Sequence, residues 1–168
     1  MAVPWREAFP STPSSARPPN TPNSPLPLVE DRYRTDPGDR GLWGYSFGGT
    51  LAAHALLNRP GTFQRYLLSS PSLRWDDRLL LKQATAYAAA HDDLPARTYT
   101  GYGADEPAAN IAIWRTFVDE IASPRYPGLT LTTELVPNAD HTTAMPIAFM
   151  RGMVAVYGPR SPGLDQAR

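Results

Sequence analysis

The chain has 168 residues, enough for one domain with a real core, and it lacks cysteine, which excludes disulfides and thiolate metal sites. Its 16 basic and 16 acidic residues balance without a basic stripe or an acidic tail, so nothing electrostatic points to nucleic acid or a membrane surface. Three histidines, no two of them close in sequence, argue against a zinc cluster, and no apolar run is long enough to span a bilayer.

Residues 1–27 hold eight prolines among Ser, Thr and Asn, and a segment of that composition is expected to be a disordered leader. It has no apolar h-region of a secretory signal, and the expected compartment is the cytoplasm. Folding is expected to begin near Leu28 and to end near residue 158, with 159–168 a flexible tail. "LVEDRYR" reads as a short helix stopped by the turn cluster "TDPGD". "RGLW" is a brief buried strand, residues 48–58 a helix ended by "NRPG", and "RYLLSS" a second strand. The loop "PSLRWDD" follows, then a helix over residues 77–91 with Asp76 or Asp77 as its N-cap. "ARTYTGY" is the third strand, and Pro107 opens a helix to Ile121 with Ile111, Trp114, Phe117, Val118 and Ile121 on one face. "LTLTTELV" alternates as a fourth strand, and a helix over residues 143–157 closes the domain. Strands alternating with helices predict an α/β fold, a mostly parallel sheet of about four strands covered on both faces.

The first strand runs into Gly44-Tyr45-Ser46-Phe47-Gly48, and a helix follows at once. A serine hydroxyl is a poor nucleophile unless it is presented to a base, and a sharp strand-to-helix turn presents it above the sheet. The backbone of such a turn is crowded, so the residues two before and two after the serine are expected to be very small; Gly44 and Gly48 meet that need, and Gly49 adds room for close helix packing. The N-terminus of the helix favours developing negative charge, and the Phe47 amide is expected to be one oxyanion-hole donor. The plainer alternative is a glycine-rich turn that only packs a helix on a strand.

A base and an orienting acid belong at strand ends on the same rim. His141 lies in "VPNADHTTAMP", beyond the fourth strand and before the last helix, and completes the chain order serine, acid, histidine. His54 and His91 sit in or at the ends of helices and read as packing or capping residues. After the third strand, Asp105 and Glu106 are both candidates for the acid, and either one also suits the start of the next helix. Asp140, adjacent to His141, is a poorer candidate, since neighbouring side chains seldom aim at each other.

The stretches "RTDPGDRGLWGYSFGGTLAAHALLNRPGTFQRYLLSSPSLRWDD", "YTGYGADE" and "ADHTTAMPIAFMRGM" resemble the α/β-hydrolase superfamily, and within it the esterase group that includes siderophore (ferric-enterobactin-type) esterases. The likeness covers about residues 28–156. It implies ester hydrolysis by a serine hydrolase, with Ser46 as nucleophile and His141 as base, through an acyl-enzyme and without a cofactor or a metal. It favours Glu106 over Asp105 as the acid, because the group's "G-x-G-x-x-E" pattern falls on Gly101, Gly103 and Glu106. It also implies that Tyr45, Ser70, Ser72 and Trp75 line a cleft for a small ester substrate. Members of this superfamily usually carry four strands ahead of the elbow strand, whereas only about forty residues precede the elbow here. The chain is therefore expected to correspond to the C-terminal part of such a domain, with the elbow strand at an exposed edge. Self-association, or a separate N-terminal piece, would complete that edge. A truncated, weak or inactive hydrolase, or a non-catalytic interaction module, is the alternative reading.

Overall fold

The computed structural model describes residues 25–122 and 126–159. The chain divides into two compact units between Gly38 and Asp39. In the first unit, helix α1 spans Pro25–Arg32 and buries none of its residues. It starts ahead of the expected Leu28. Pro25 and Pro27 fall in its first turn, where a missing N–H leaves no intrahelical bond unmade. The rest of the expected proline-rich leader, residues 1–24, and residues 160–168 of the expected tail lie outside the described residues.

The second unit runs β1 (Gly41–Tyr45), α2 (Phe47–Asn58), β2 (Arg65–Ser69), α3 (Trp75–Ala90), β3 (Ala96–Gly103), α4 (Ala108–Ile121), β4 (Leu129–Val136) and α5 (His141–Tyr157). The four strands form one parallel sheet in the order β1-β2-β3-β4, with Gly41 opposite Arg65, Arg65 opposite Arg97 and Arg97 opposite Thr130. A parallel neighbour needs a crossover, and a helix supplies each one. Alternation along β2 sorts the core into two layers. Tyr66 and Leu68 pack under Ala52, Leu56, Leu80, Trp114 and Phe117 of α2, α3 and α4. Leu67 points the other way, joining Tyr99 and Val136 beneath Ala144, Ala148 and Val156 of α5.

Three local expectations change. Asp76 and Asp77 do not cap α3. Together with Arg78 they form a left-handed turn at φ 48, 50 and 57°, and the right-handed helix follows it. Pro107 stands at the N-cap position of α4 rather than inside its first turn. Helix α5 begins two residues early, at His141, because Asp140 caps it: its side chain accepts the Thr142 and Thr143 N–H groups, and the Thr143 hydroxyl accepts the Asp140 N–H.

Among the described residues β1 pairs on one side only, so the elbow strand forms an edge of the sheet. Trp43 on that strand is 44% exposed, and Phe47 and Leu51 on the adjoining helix are 63% and 58% exposed. Trp43 leans on Phe149 at 4.7 Å between ring centroids and donates its indole N–H to the Ser69 hydroxyl. No helix of the described residues is long and apolar enough to cross a membrane.

Candidate active site

The carboxyl ends of β1, β3 and β4 share one rim of the sheet, and each delivers one polar side chain to the same point. Ser46 follows β1 at φ 56° and ψ −119°, a strained conformation for a residue with a Cβ. Two bonds hold it there: its N–H donates to the Ser69 carbonyl at 3.0 Å, and its own carbonyl accepts the Thr50 N–H at 3.0 Å. The turn is possible because Gly44 lacks a side chain. A Cβ on Gly44 would lie 2.0 Å from the Gly48 carbonyl oxygen. Gly48 is a different case, since a Cβ there would meet nothing within 4 Å and its φ is not left-handed. Gly49 is the closely packed one, as expected: a Cβ there would stand 3.1 Å from Pro71 Cα and from the Ser69 carbonyl oxygen.

The loop after β3 is bolted to the loop after β4. Ala104 and Asp105 donate their N–H groups to the Val136 and Ala139 carbonyls, and a Cβ on Gly103 would lie 2.4 Å from the Ala139 carbonyl oxygen. This lock turns Glu106 inward, where it is 6% exposed. Its Oε1 accepts the Ser70 hydroxyl at 2.6 Å and the Gly103 N–H at 3.1 Å. Its Oε2 lies 2.9 Å from His141 Nδ1. On the far side of the ring, His141 Nε2 lies 3.1 Å from Ser46 Oγ. A carboxylate facing Nδ1 assigns the proton to that nitrogen and leaves Nε2 free to accept from the serine.

The carboxylate meeting the imidazole is thus Glu106. Asp105 contributes its backbone to the loop and keeps an exposed side chain. Phe47 is the first residue of α2, so its amide belongs to the unpaired N–H groups of a helix start, next to Ser46.

The residues expected to line a cleft separate into different roles. Ser72 does line one, a cleft of about 340 Å³ between the β2–α3 loop and the start of α4, with Glu106 and His141 at one end. Ser70 is buried beneath Glu106 instead. Tyr45 donates its hydroxyl to the His141 carbonyl at 2.6 Å, and its ring lies 4.8 Å from the imidazole, so it braces the histidine from behind. Burial, followed by the Glu106 and Asp140 charges, raises the Tyr45 phenol above its ordinary pKa. Trp75 stands 41% exposed at the start of α3, outside the wall of this cleft.

Arg74, Tyr102 and Asn110 line the cleft without having been singled out in the sequence. Burial first, then the Glu106 charge, pushes the Tyr102 phenol well above its ordinary range. Arg74 and Tyr102 lie in the stretches that carry the resemblance but at positions no pattern marks, Asn110 lies in none, and only the fold carries α4 to the β2–α3 loop. The other histidines are structural. His54 lies 3.2 Å from the Gln83 amide oxygen, burial lowering its pKa, and His91 stacks on Tyr87 at 4.0 Å. Among the described residues no group of three or more His, Asp or Glu side chains could hold a metal ion.

Several known proteins resemble the chain. The chain is 38% identical over 79 residues to the siderophore triacetylfusarinine C esterase of Aspergillus fumigatus, a match covering 44% of this chain and 27% of that protein. It is 41% identical over 63 residues to the siderophore enterobactin esterase of Emericella nidulans, covering 36% of this chain and 21% of that one. Among solved structures, the BES protein from Bacillus cereus superposes with a TM-score of 0.71 at 19% identity, over 78% of this chain and 51% of that one. The siderophore hydrolase EstB from Aspergillus nidulans superposes with a TM-score of 0.65 at 22% identity, over 83% and 57%. These superpositions show a shared fold. The chain therefore matches about a quarter of the length of these curated relatives and about half of these solved structures. Residues 24–122, more than half of the chain, match the family described as "Putative esterase", and the chain belongs to that family.

Proposed function

We propose that this chain is a serine hydrolase that cleaves carboxylic esters through Ser46, His141 and Glu106. The observation that carries the reading is the unbroken line from Ser46 Oγ to His141 Nε2 at 3.1 Å and from His141 Nδ1 to Glu106 Oε2 at 2.9 Å. In this mechanism Ser46 attacks the ester carbonyl while its proton passes to Nε2. The imidazolium then hands that proton to the departing alcohol, leaving an acyl-enzyme. Water repeats the sequence, its proton passing to Nε2 and then to Ser46 as the acid is released. Glu106 holds the ring in the productive tautomer and stabilises its charged form. The Phe47 amide, at the positive end of α2, donates to the carbonyl oxygen as charge collects there.

A siderophore ester is the substrate class we infer, on the strength of two relatives named as siderophore esterases. A cleft of about 340 Å³ falls at the small end of the range for ligand sites, and suits one arm of such a molecule. A fluorophosphonate probe tests the reading. The probe is expected to label the purified chain at one site and to leave Ser46→Ala unlabelled; labelling that persists in Ser46→Ala, or no labelling of the native chain, overturns it.

A further inference from the structure

The Ser72 side chain stands closer to the chemistry than a cleft wall requires. Its hydroxyl oxygen is 3.3 Å from Ser46 Oγ, on the reacting atom itself. Its backbone is tied to the elbow at both ends. The Ser72 N–H donates to the Ser46 carbonyl at 3.2 Å, and the single proton of the Thr50 hydroxyl is shared between the Ser46 and Ser72 carbonyls, each 3.2 Å away. The Ser72 carbonyl also accepts the Trp75 N–H at 3.4 Å. Three residues from separate elements thus form one frame, and the frame sets where the Ser72 hydroxyl sits relative to the Ser46 hydroxyl.

The direction of the hydrogen bond between the two hydroxyls follows from the histidine. Nε2, left without a proton, accepts from Ser46, so the Ser46 proton is committed. Ser72 must then be the donor, and Ser46 Oγ is the acceptor.

We propose that Ser72 is a further catalytic residue, a fixed hydroxyl that donates to Ser46 Oγ each time that oxygen carries charge. This rests on the hydrolase reading above. In acylation the Ser46 O–H bond breaks toward Nε2 as the Oγ–carbonyl carbon bond forms, and the carbonyl π pair moves to oxygen. In deacylation the carbonyl carbon–Oγ bond breaks, its electron pair returns to Oγ, and the proton returns from Nε2. In acylation the oxygen is electron-rich while its proton leaves ahead of full bonding to carbon, and in deacylation while the carbon bond breaks ahead of the proton's return. A hydroxyl held in place by the frame stabilises it without first having to reorient. Ser72 O–H keeps its own proton throughout.

Rates of fluorophosphonate labelling, measured for the native chain, Ser72→Ala and Ser72→Cys, test the proposal. Cysteine keeps the shape of the side chain but offers only a weak S–H donor, so it guards against a fold lost through alanine; thermal unfolding followed by circular dichroism checks the fold of both. Both variants are expected to label about ten- to a hundredfold more slowly, the range for losing a hydrogen bond to a charged group. With 4-nitrophenyl acetate, the loss is expected in kcat with KM little changed. If a folded Ser72→Ala or Ser72→Cys labels at the native rate, the proposal is overturned while the hydrolase reading stands. If the native chain itself fails to label, both are overturned.

Discussion

Strands β1 and β3 reach the same rim, yet they hold their polar residues in opposite ways. β3 has a strand on each side, and Glu106 just beyond it is 6% exposed and hydrogen-bonded to Ser70, Gly103 and His141. β1 has a strand on one side among the described residues, and its Ser46 sits in a strained turn beside the exposed Phe47. A buried carboxylate tolerates no missing partner, so its position is over-determined by hydrogen bonds. Ser46 is more open, and its position is set by the backbone bonds to Ser69 and Thr50 and by the lack of a side chain at Gly44. One half of the site is held by bonds to a side chain, the other by backbone bonds and by shape.

The bonded half should fail chemically before it fails structurally. Glu106→Gln keeps the volume and the acceptor facing Ser70 and Gly103, but its amide nitrogen then confronts His141 Nδ1. The ring loses the tautomer that leaves Nε2 free. Labelling of Ser46 by a fluorophosphonate is expected to slow by about four orders of magnitude, as for the corresponding change in serine proteases. Asp105→Asn, one residue earlier, should label at the native rate. Equal losses in the two variants would remove Glu106 from its assigned place.

The shaped half should fail in the opposite order, and it discriminates between two glycines of the same motif. At Gly44 an added methyl would lie 2.0 Å from the Gly48 carbonyl oxygen and 2.2 Å from its carbon, both backbone atoms that cannot rotate away. Gly44→Ala is expected to cost about 3 kcal/mol or more, at the upper end for overpacking, and to distort the elbow. Gly48 lies in the first turn of α2 with open space around its Cα, so Gly48→Ala should stabilise the chain by about 0.5–1 kcal/mol through helix propensity. Urea unfolding of both variants measures the difference. Two similar destabilisations would show that the motif needs both glycines here for the same reason.

This contrast also explains what could be read from the sequence. The four strands and their order along the chain were legible from short β-rich runs between helical stretches, as in "RYLLSS" and "LTLTTELV". Ser46 and His141 could be singled out as candidates because the elbow motif and the strand–loop–helix position of the histidine are local patterns, and the fold brings the two side chains within 3.1 Å of each other. Gly48 was misread because the motif records a spacing, while crowding depends on where Pro71 and Ser69 return in space. Asp105 and Glu106 could not be separated by the residues alone. What separates them is the pair of bonds from residues 104 and 105 to the β4–α5 loop, a contact across some 35 residues. Tyr45 and Ser70 were placed in the cleft but serve as braces for the histidine and the acid. A hydroxyl's partner is a tertiary fact, and neither residue carries a local sign of it.

A further test sets the exposed Asp140 cap that starts α5 beside the buried Glu106. The Asp140 carboxylate is held below the ordinary aspartate value of 3.8, first by the Thr143 N–H, then by the Thr143 hydroxyl, and also by the Thr142 N–H. A depressed folded value means that the charged cap stabilises the fold above the unfolded pKa and that this contribution fades as pH falls through the folded one. Asp140→Asn keeps a side-chain oxygen for capping but has no charge to lose. The native chain should therefore unfold at a higher temperature than Asp140→Asn at neutral pH, and the gap should close as the pH drops below 3.8. The effect should be small, since the group is open to solvent and screened by salt. Because His141 is the first residue of α5, the same acidification should loosen the imidazole before the sheet unfolds. A gap that stays constant with pH would mean that the cap holds α5 by its hydrogen-bonding geometry alone, leaving the charge of Asp140 without a role in positioning the histidine.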